Sequence, residues 1–326
     1  MKRLAVFLCA AGALLSLSGC SLNVNLDLLG TDTLQEVVLL PSAAKEKILM
    51  VDVSGVITAG GDGGFLQRGK DPTAMVYAQL SLASKDRSVR GVILRLDTPG
   101  GEVTASDMIR HEILQYKKKT GVPVTALMMS VAASGGYYIA CAADRIIAHP
   151  TTLTGSIGVV ALFPETAVLL DKLGLRVNVI KSGDLKDAGS VFRKMTDDER
   201  AFFRSLIEED YRTFLEVVAA GRAGRLTPED IRGLADGRVF TGRQALELKL
   251  VDAVGYFDAA LDAALEMARL KSAKIVAYTH YPKTKTNIYA AALDGGFFQE
   301  RRDWTQVLTG LRSGRYYLWL PPAFRS

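Results

Sequence analysis

Three short segments combine a reactive or charged side chain with neighbours too small to screen it. The first is Ala132-Ala133-Ser134-Gly135-Gly136-Tyr137-Tyr138. A serine between alanine and glycine suits an exposed nucleophile, because substrate can approach and the next backbone N–H can face a developing oxyanion. The spacing is not G-x-S-x-G, so the segment shares the physics of a hydrolase nucleophile elbow but not its pattern. A serine there could equally cap a helix beginning at Gly135. The second segment, Asp97-Thr98-Pro99-Gly100-Gly101, sets adjacent glycines before a helical stretch. Backbone N–H groups free of side chains suit an oxyanion, although Pro-Gly-Gly also makes a plain turn. The third, Lys181-Ser182-Gly183-Asp184-Leu185-Lys186-Asp187, supplies lysines. A serine nucleophile needs a base, and no histidine sits in a comparable turn. A lysine amine can serve where burial favours its neutral form, and is otherwise a solvated surface charge.

Each turn follows an apolar, strand-like run: 91–96 (GVILRL), 123–129 and 176–180. Further strands are expected at 48–53, 145–148 and 273–278, with another beginning at Ile157. Helical spacing marks 72–84, with Met75, Ala78, Leu80 and Leu82 as apolar positions. It also marks 104–119, with Met108, Ile109, Ile113 and Leu114 inward. Shorter helices are expected at 136–142 and 165–173. A long one runs from about Asp197 to Ala220, opened by a Thr196-Asp197-Asp198-Glu199 cap, and two more lie within 227–270. Strands alternating with helices imply a parallel sheet with crossover helices, in which sites gather at the carboxyl ends of strands. No internal repeat of 20–50 residues is present.

The composition, 48% hydrophobic and 23% charged over 326 residues, is that of a folded chain. Residues 1–19 stand apart: Lys2 and Arg3 precede an apolar run from Leu4 to Leu17, short for a membrane span of about 20 residues. This reads as a secretory signal. Its Leu17-Ser18-Gly19-Cys20 ending resembles the bacterial lipobox, which implies export, removal of 1–19 and a lipid on Cys20 that holds the protein at a membrane. Loss of Lys2 and Arg3 lowers the formal charge from +5 to +3, too small an excess to suggest nucleic acid. Cys141 is then the one cysteine of the mature body, so no intrachain disulfide can form there, and its Ala-rich surroundings suggest a packed thiol. His111, His149 and His280 are scattered without metal-ligand spacing, so no metal is expected. Residues 20–46 read as a tether, 47–280 as the folded domain, and 281–326 as a basic tail with an aromatic run, Tyr316-Tyr317-Leu318-Trp319-Leu320.

Five segments in order resemble the signal peptide peptidase A family of serine peptidases, over roughly residues 47–280. They are Asp52-Val53-Ser54-Gly55-Val56-Ile57, Asp97 to Gly101, Ala133 to Tyr138, Leu153-Thr154-Gly155-Ser156-Ile157-Gly158-Val159, and Lys181-Ser182-Gly183 through Lys186-Asp187. Asp236-Gly237-Arg238 and Thr241-Gly242-Arg243-Gln244-Ala245 fit as well. The resemblance implies an α/β, Clp protease/crotonase-like fold of stacked βαβ units with a helical extension. It places the nucleophile on Ser134, the base on Lys186 and not Lys181, the lysine-positioning serine on Ser156, and the oxyanion donors on the N–H groups of Gly101 and Gly135. It further implies no cofactor, apolar peptide substrates such as remnant signal peptides, and a homo-oligomeric ring. Longer relatives resemble two fused copies, with the lysine in one half and the serine in the other, so Ser134 would meet Lys186 of a neighbouring protomer. Many family members carry a transmembrane helix where this chain has a lipobox. Two other readings share the plan: a crotonase-type acyl-transfer enzyme, and a non-catalytic assembly lipoprotein of the same fold.

Overall fold

In the computed structural model, the described residues are 33–60, 71–280, 285, 287–290 and 314–318. Cys20 and the whole signal segment lie outside them. The chain divides into Met1–Thr33 and a unit beginning at Leu34, which holds the fold below.

The strands are β1 (Gln35–Leu40), β2 (Lys47–Ser54), β3 (Val89–Thr98), β4 (Gly100–Glu102), β5 (Val124–Ala133), β6 (Arg145–Ala148), β7 (Leu153–Gly155), β8 (Val160–Leu162), β9 (Val239–Thr241), β10 (Ala253–Val254), β11 (Lys274–Thr279) and β12 (Gly314–Leu318). The helices are α1 (Pro72–Ala83), α2 (Val103–Thr120), α3 (Gly135–Ala140), α4 (Ala167–Lys172), α5 (Asp197–Gly221), α6 (Pro228–Leu234), α7 (Gly242–Glu247) and α8 (Phe257–Ala268). The main sheet runs β1-β11-β2-β3-β5-β6-β10. Its central strands β11, β2, β3, β5 and β6 pair in parallel. That is why their sequences are nearly continuous apolar runs: both faces are covered. Leu49, Val51 and Val53 of β2 join one core cluster with Val76, Leu80, Ile109 and Ile113, while Ile48 and Met50 join a second with α8 residues Phe257, Ala260 and Ala264. Burying each such side chain contributes about 1.5–3 kcal/mol.

β5 positions the site by changing partners along its length. Thr125–Met128 pair with β6, whereas Val131–Ala133 pair with β7, which in turn pairs antiparallel with β9. The strand end before Ser134 is thereby carried to the Gly155-Ser156 turn.

Several expectations shift. α1 buries Thr73, Val76, Gln79, Leu80 and Ala83, so its inner face is rotated from the apolar set in the sequence; buried Gln79 donates to the Tyr278 carbonyl at 2.8 Å, which makes a polar residue acceptable there. On α2, Tyr116 points inward and Met108 is exposed. Among the described residues, 176–180 have no ladder partner and form no strand; an apolar run becomes a strand only where a second backbone pairs with it. Within the stretch read as a tether, 35–40 form β1 on the edge of the sheet beside β11. Within the tail, 314–318 form β12, the middle of a three-stranded sheet β4-β12-β8.

Candidate active site

The Asp97–Gly101 turn lies under the Ser54–Ile57 segment. Gly55 N–H donates to the Asp97 carbonyl at 3.0 Å, Ile57 N–H to the Gly100 carbonyl at 2.9 Å, and Glu102 N–H to the Ile57 carbonyl at 2.8 Å. Gly100 has φ +98°, and a methyl group on Gly101 would lie 1.9 Å from the Ile57 carbonyl oxygen. Only glycines allow this approach. The turn leads into the short strand β4 before α2 begins.

Ser134 sits at φ 53°, ψ −113°, between β5 and α3. Holding a non-glycine residue in so sparsely populated a conformation costs on the order of 1–3 kcal/mol, and such strain concentrates at functional sites. The side chain makes no capping hydrogen bond, so the helix-cap reading of this serine does not hold. Its backbone is fixed from both sides: Ser134 N–H donates to the Gly155 carbonyl at 2.7 Å, and Tyr138 N–H donates to the Ser134 carbonyl at 2.9 Å. Gly135 is wedged against the first turn, since a methyl group there would lie 3.2 Å from Gly100 Cα and 2.5 Å from Ser106 Oγ.

Ser156 also has positive φ, 49°. Its N–H donates to the Arg238 carbonyl at 2.8 Å, and Gly237 N–H donates to the Ile157 carbonyl at 3.1 Å. The Asp236-Gly237-Arg238 segment therefore braces the Ser156 turn. Arg238 Nε holds the Asp236 carboxylate at 2.7 Å and keeps its pKa below the usual carboxylate range.

Lys181 and Lys186 differ sharply. Lys181 Nζ contacts Asp187 Oδ1 at 2.7 Å and the Asp184 carbonyl at 2.8 Å. Asp187 also receives Arg193, whose guanidinium reaches Glu199 as well. Hydrogen bonds from Arg193, then Lys181, hold the Asp187 carboxyl far below its ordinary range, and Arg193 lowers Glu199 to about 2. Lys186, in the 3₁₀ turn Asp184–Asp187, is exposed and has no side-chain hydrogen bond or ion pair among the described residues. The fold thus gathers Gly101, Ser134, Gly135 and Ser156, and among the described residues no hydrogen bond or ion pair joins the Lys186 side chain to them.

Two groups stand in the sequence only as members of a family-like segment and of the aromatic run, with no role assigned to them there. Asp52 is buried with Lys285 and Arg95, its carboxylate 3.6 Å from Arg95 and in contact with Lys285. Tyr317 of β12 stacks on Tyr138 with ring centroids 4.9 Å apart. Cys141 is buried and desolvation pushes its pKa up to about 12, the packed thiol that its surroundings suggest.

Residues 116–271, which include Ser134, Ser156 and Lys186, match the family described as peptidase family S49, and residues 66–153 match Clp protease. The chain is 34% identical over 256 residues to a putative signal peptide peptidase SppA of Enterococcus faecium, covering 78% of this chain and 74% of that protein. It is 36% identical to the putative protease slr0021 of a Synechocystis strain, covering 72% and 79%. With the putative protease MJ0651 of Methanocaldococcus jannaschii the identity is 37%, covering 67% and 68%. Similarity at this level over most of both chains, on a sheet of this topology, places the chain in peptidase family S49 as a peptidase with the Clp protease/crotonase-like α/β fold.

Proposed function

We propose that the protein is a membrane-anchored serine endopeptidase in which Ser134 is the nucleophile and Lys186, from a neighbouring copy, is the general base. The observation that carries this reading is Ser134 itself, a strained serine whose side chain makes no capping hydrogen bond and whose chain neighbour Gly135 packs against Gly100. In the first half-reaction, neutral Lys186 takes the Ser134 proton as Oγ attacks the peptide carbonyl carbon. The Gly101 and Gly135 N–H groups stabilise the oxyanion. The C–N bond then breaks, the leaving amine takes the proton from Lys186, and an acyl-Ser134 ester remains. Water, deprotonated by the again neutral Lys186 amine, attacks the ester carbonyl, and Ser134 Oγ leaves as Lys186 returns that proton to it. Ser156 would orient the lysine amine.

A second copy as the source of Lys186 is supported by the surface around it. Val168, Leu173 and Leu175 are more than half exposed, Ile180 is fully exposed, and the unpaired 176–180 backbone lies open. Such an apolar arm suits a heterologous contact repeated around a ring. Anchoring rests on the Leu17–Cys20 lipobox; among the described residues no helix is long and apolar enough to cross a membrane. Substrates near a membrane would be apolar peptides such as remnant signal peptides.

The test is hydrolysis of apolar peptide esters and unfolded casein by residues 21–326, which should be lost in Ser134→Ala. Full activity in Ser134→Ala would discard the nucleophile. In the full-length chain, labelled fatty acid should enter the wild type and not Cys20→Ala; equal labelling of both would discard the anchor.

A further inference from the structure

The turns that feed the parallel strands lie side by side along one edge of the main sheet, at the end of β5 away from Ser134. Lys274 N–H donates to the Glu46 carbonyl at 2.9 Å, Lys47 N–H to the Ser88 carbonyl at 2.7 Å, and Asp144 N–H to the Val124 carbonyl at 2.8 Å. Side chains knit the same edge. Lys117 Nζ donates to the Ala142 carbonyl at 2.8 Å, and Lys119 Nζ to Ser84 Oγ at 3.3 Å.

This edge is strongly basic. Residues 41–47, 84–90, 117–123, 141–145 and 266–274 hold twelve lysines and arginines against four acidic residues. The whole chain carries a formal charge of only +5, so everything outside these turns is net acidic. Three of the four carboxylates are already engaged: Asp86 by Lys47 at 2.9 Å, Asp144 by Lys117 at 2.8 Å, and Glu266 by Arg145 at 2.7 Å. Lys45, Lys85, Arg87, Lys118, Arg269 and Lys271 are exposed, with no side-chain ion pair or hydrogen bond among the described residues. They stand on four separate turns and do not converge on a point, as the ligands of a single phosphate would. Long cationic side chains spread in this way suit a surface of many mobile anions, and lipid headgroups supply one.

The proposed anchor permits the contact. β1 runs antiparallel to β11, so its first residue, Gln35, lies at the end of the sheet opposite the basic edge. The fifteen residues from Cys20 to Gln35 can reach about 50 Å when extended. That exceeds the length of ten-residue β3, about 33 Å, so a lipid on Cys20 and the basic edge can meet one membrane.

We propose that this edge docks on the anionic headgroups of a membrane, so that the lipid tethers the body and the edge sets how it stands on the bilayer. The claim rests on the membrane-anchored reading and deepens it.

The experiment measures co-sedimentation of residues 21–326 with vesicles; the fragment loses only residues outside the unit beginning at Leu34. It should bind vesicles of equal parts phosphatidylcholine and phosphatidylglycerol, leave them as sodium chloride is raised, and ignore pure phosphatidylcholine. Lys85→Gln/Lys118→Gln/Lys271→Gln should lower the partition coefficient by about tenfold or more. Arg200→Gln/Arg204→Gln/Arg243→Gln removes the same charge from exposed residues outside these turns and should change it by less than about twofold. Equal loss in both triple variants would mean that net charge, and not this edge, binds, and would overturn the proposal. Sodium phosphate should release no more protein than sodium chloride of equal ionic strength; stronger release would mean a discrete phosphate site and would also overturn it. Failure to bind anionic vesicles overturns it too, and leaves the edge to an acidic protein partner. Because the fragment lacks Cys20, the two readings fail separately. Vesicle binding with no fatty acid on the full-length chain upholds the edge and discards the anchor, whereas labelled Cys20 with no vesicle binding does the reverse.

Discussion

At the scale of the residue, the conformation of Ser134 carries the functional argument, and the contrast between two lysines sharpens it. Lys181 is bound by Asp187 and by the Asp184 carbonyl, so its side chain is already engaged within the arm. Lys186 has no such partner among the described residues and is the amine proposed as the base. Lys186→Arg should lower kcat/KM by on the order of 10³-fold or more, because a guanidinium stays charged and cannot take the Ser134 proton. Lys181→Arg keeps the positive charge that pairs with Asp187 and should retain most activity. Loss at Lys181 with tolerance at Lys186 would reverse the assignment.

At the scale of the element, the arm between α4 and α5 is held by charge where the core is held by apolar packing. Arg193 bridges Asp187 to Glu199, and Glu199 is also the third residue of the α5 capping box, accepting from Thr196 N–H at 2.9 Å. The sign of the pH dependence follows from the lowered Glu199 pKa, about 2 in the fold against 4.5 when unperturbed. Its stabilisation is complete above about pH 4.5 and is lost as pH falls through about 2. Glu199→Gln should therefore melt below the wild type at pH 7, with the gap closing between pH 5 and pH 2. A gap independent of pH would mean that the carboxylate charge is not what Arg193 binds. Elsewhere in the fold, Asp52→Ala leaves Lys285 and Arg95 buried without their anion. Breaking a buried pair in this way costs about 3–5 kcal/mol, readable as a lower urea midpoint.

At the scale of the whole molecule, separation of Ser134 from Lys186 makes assembly part of the proposed chemistry. In a heterologous ring, a chain bearing Ser134→Ala and one bearing Lys186→Ala complement each other wherever an intact serine faces an intact lysine. Random equal mixing should restore roughly a quarter of wild-type activity under that ring rule, measured on co-expressed chains that are each inactive alone. A dyad within one chain would restore none. Much of this molecule is legible from its sequence. The GVILRL and KILMVDV runs read as buried parallel strands, the Thr196–Glu199 box opens α5, and two of the three small-residue turns, at Asp97–Gly101 and Ala132–Tyr138, sit at strand ends, because hydrophobic period, capping and glycine's freedom are local properties of the chain. Tertiary structure alone decided the rest. It set Gly135 against Gly100, brought Ser134 to the Gly155-Ser156 turn by switching β5 from β6 to β7, put Gln79 in the core, and made strands of 35–40 and 314–318. Among the described residues it left 176–180 outside the sheets and Lys186 without a hydrogen bond or ion pair to Ser134. A strand needs a partner that can lie anywhere in the sequence, so which apolar runs pair, and which do not, is fixed only when the whole sheet closes.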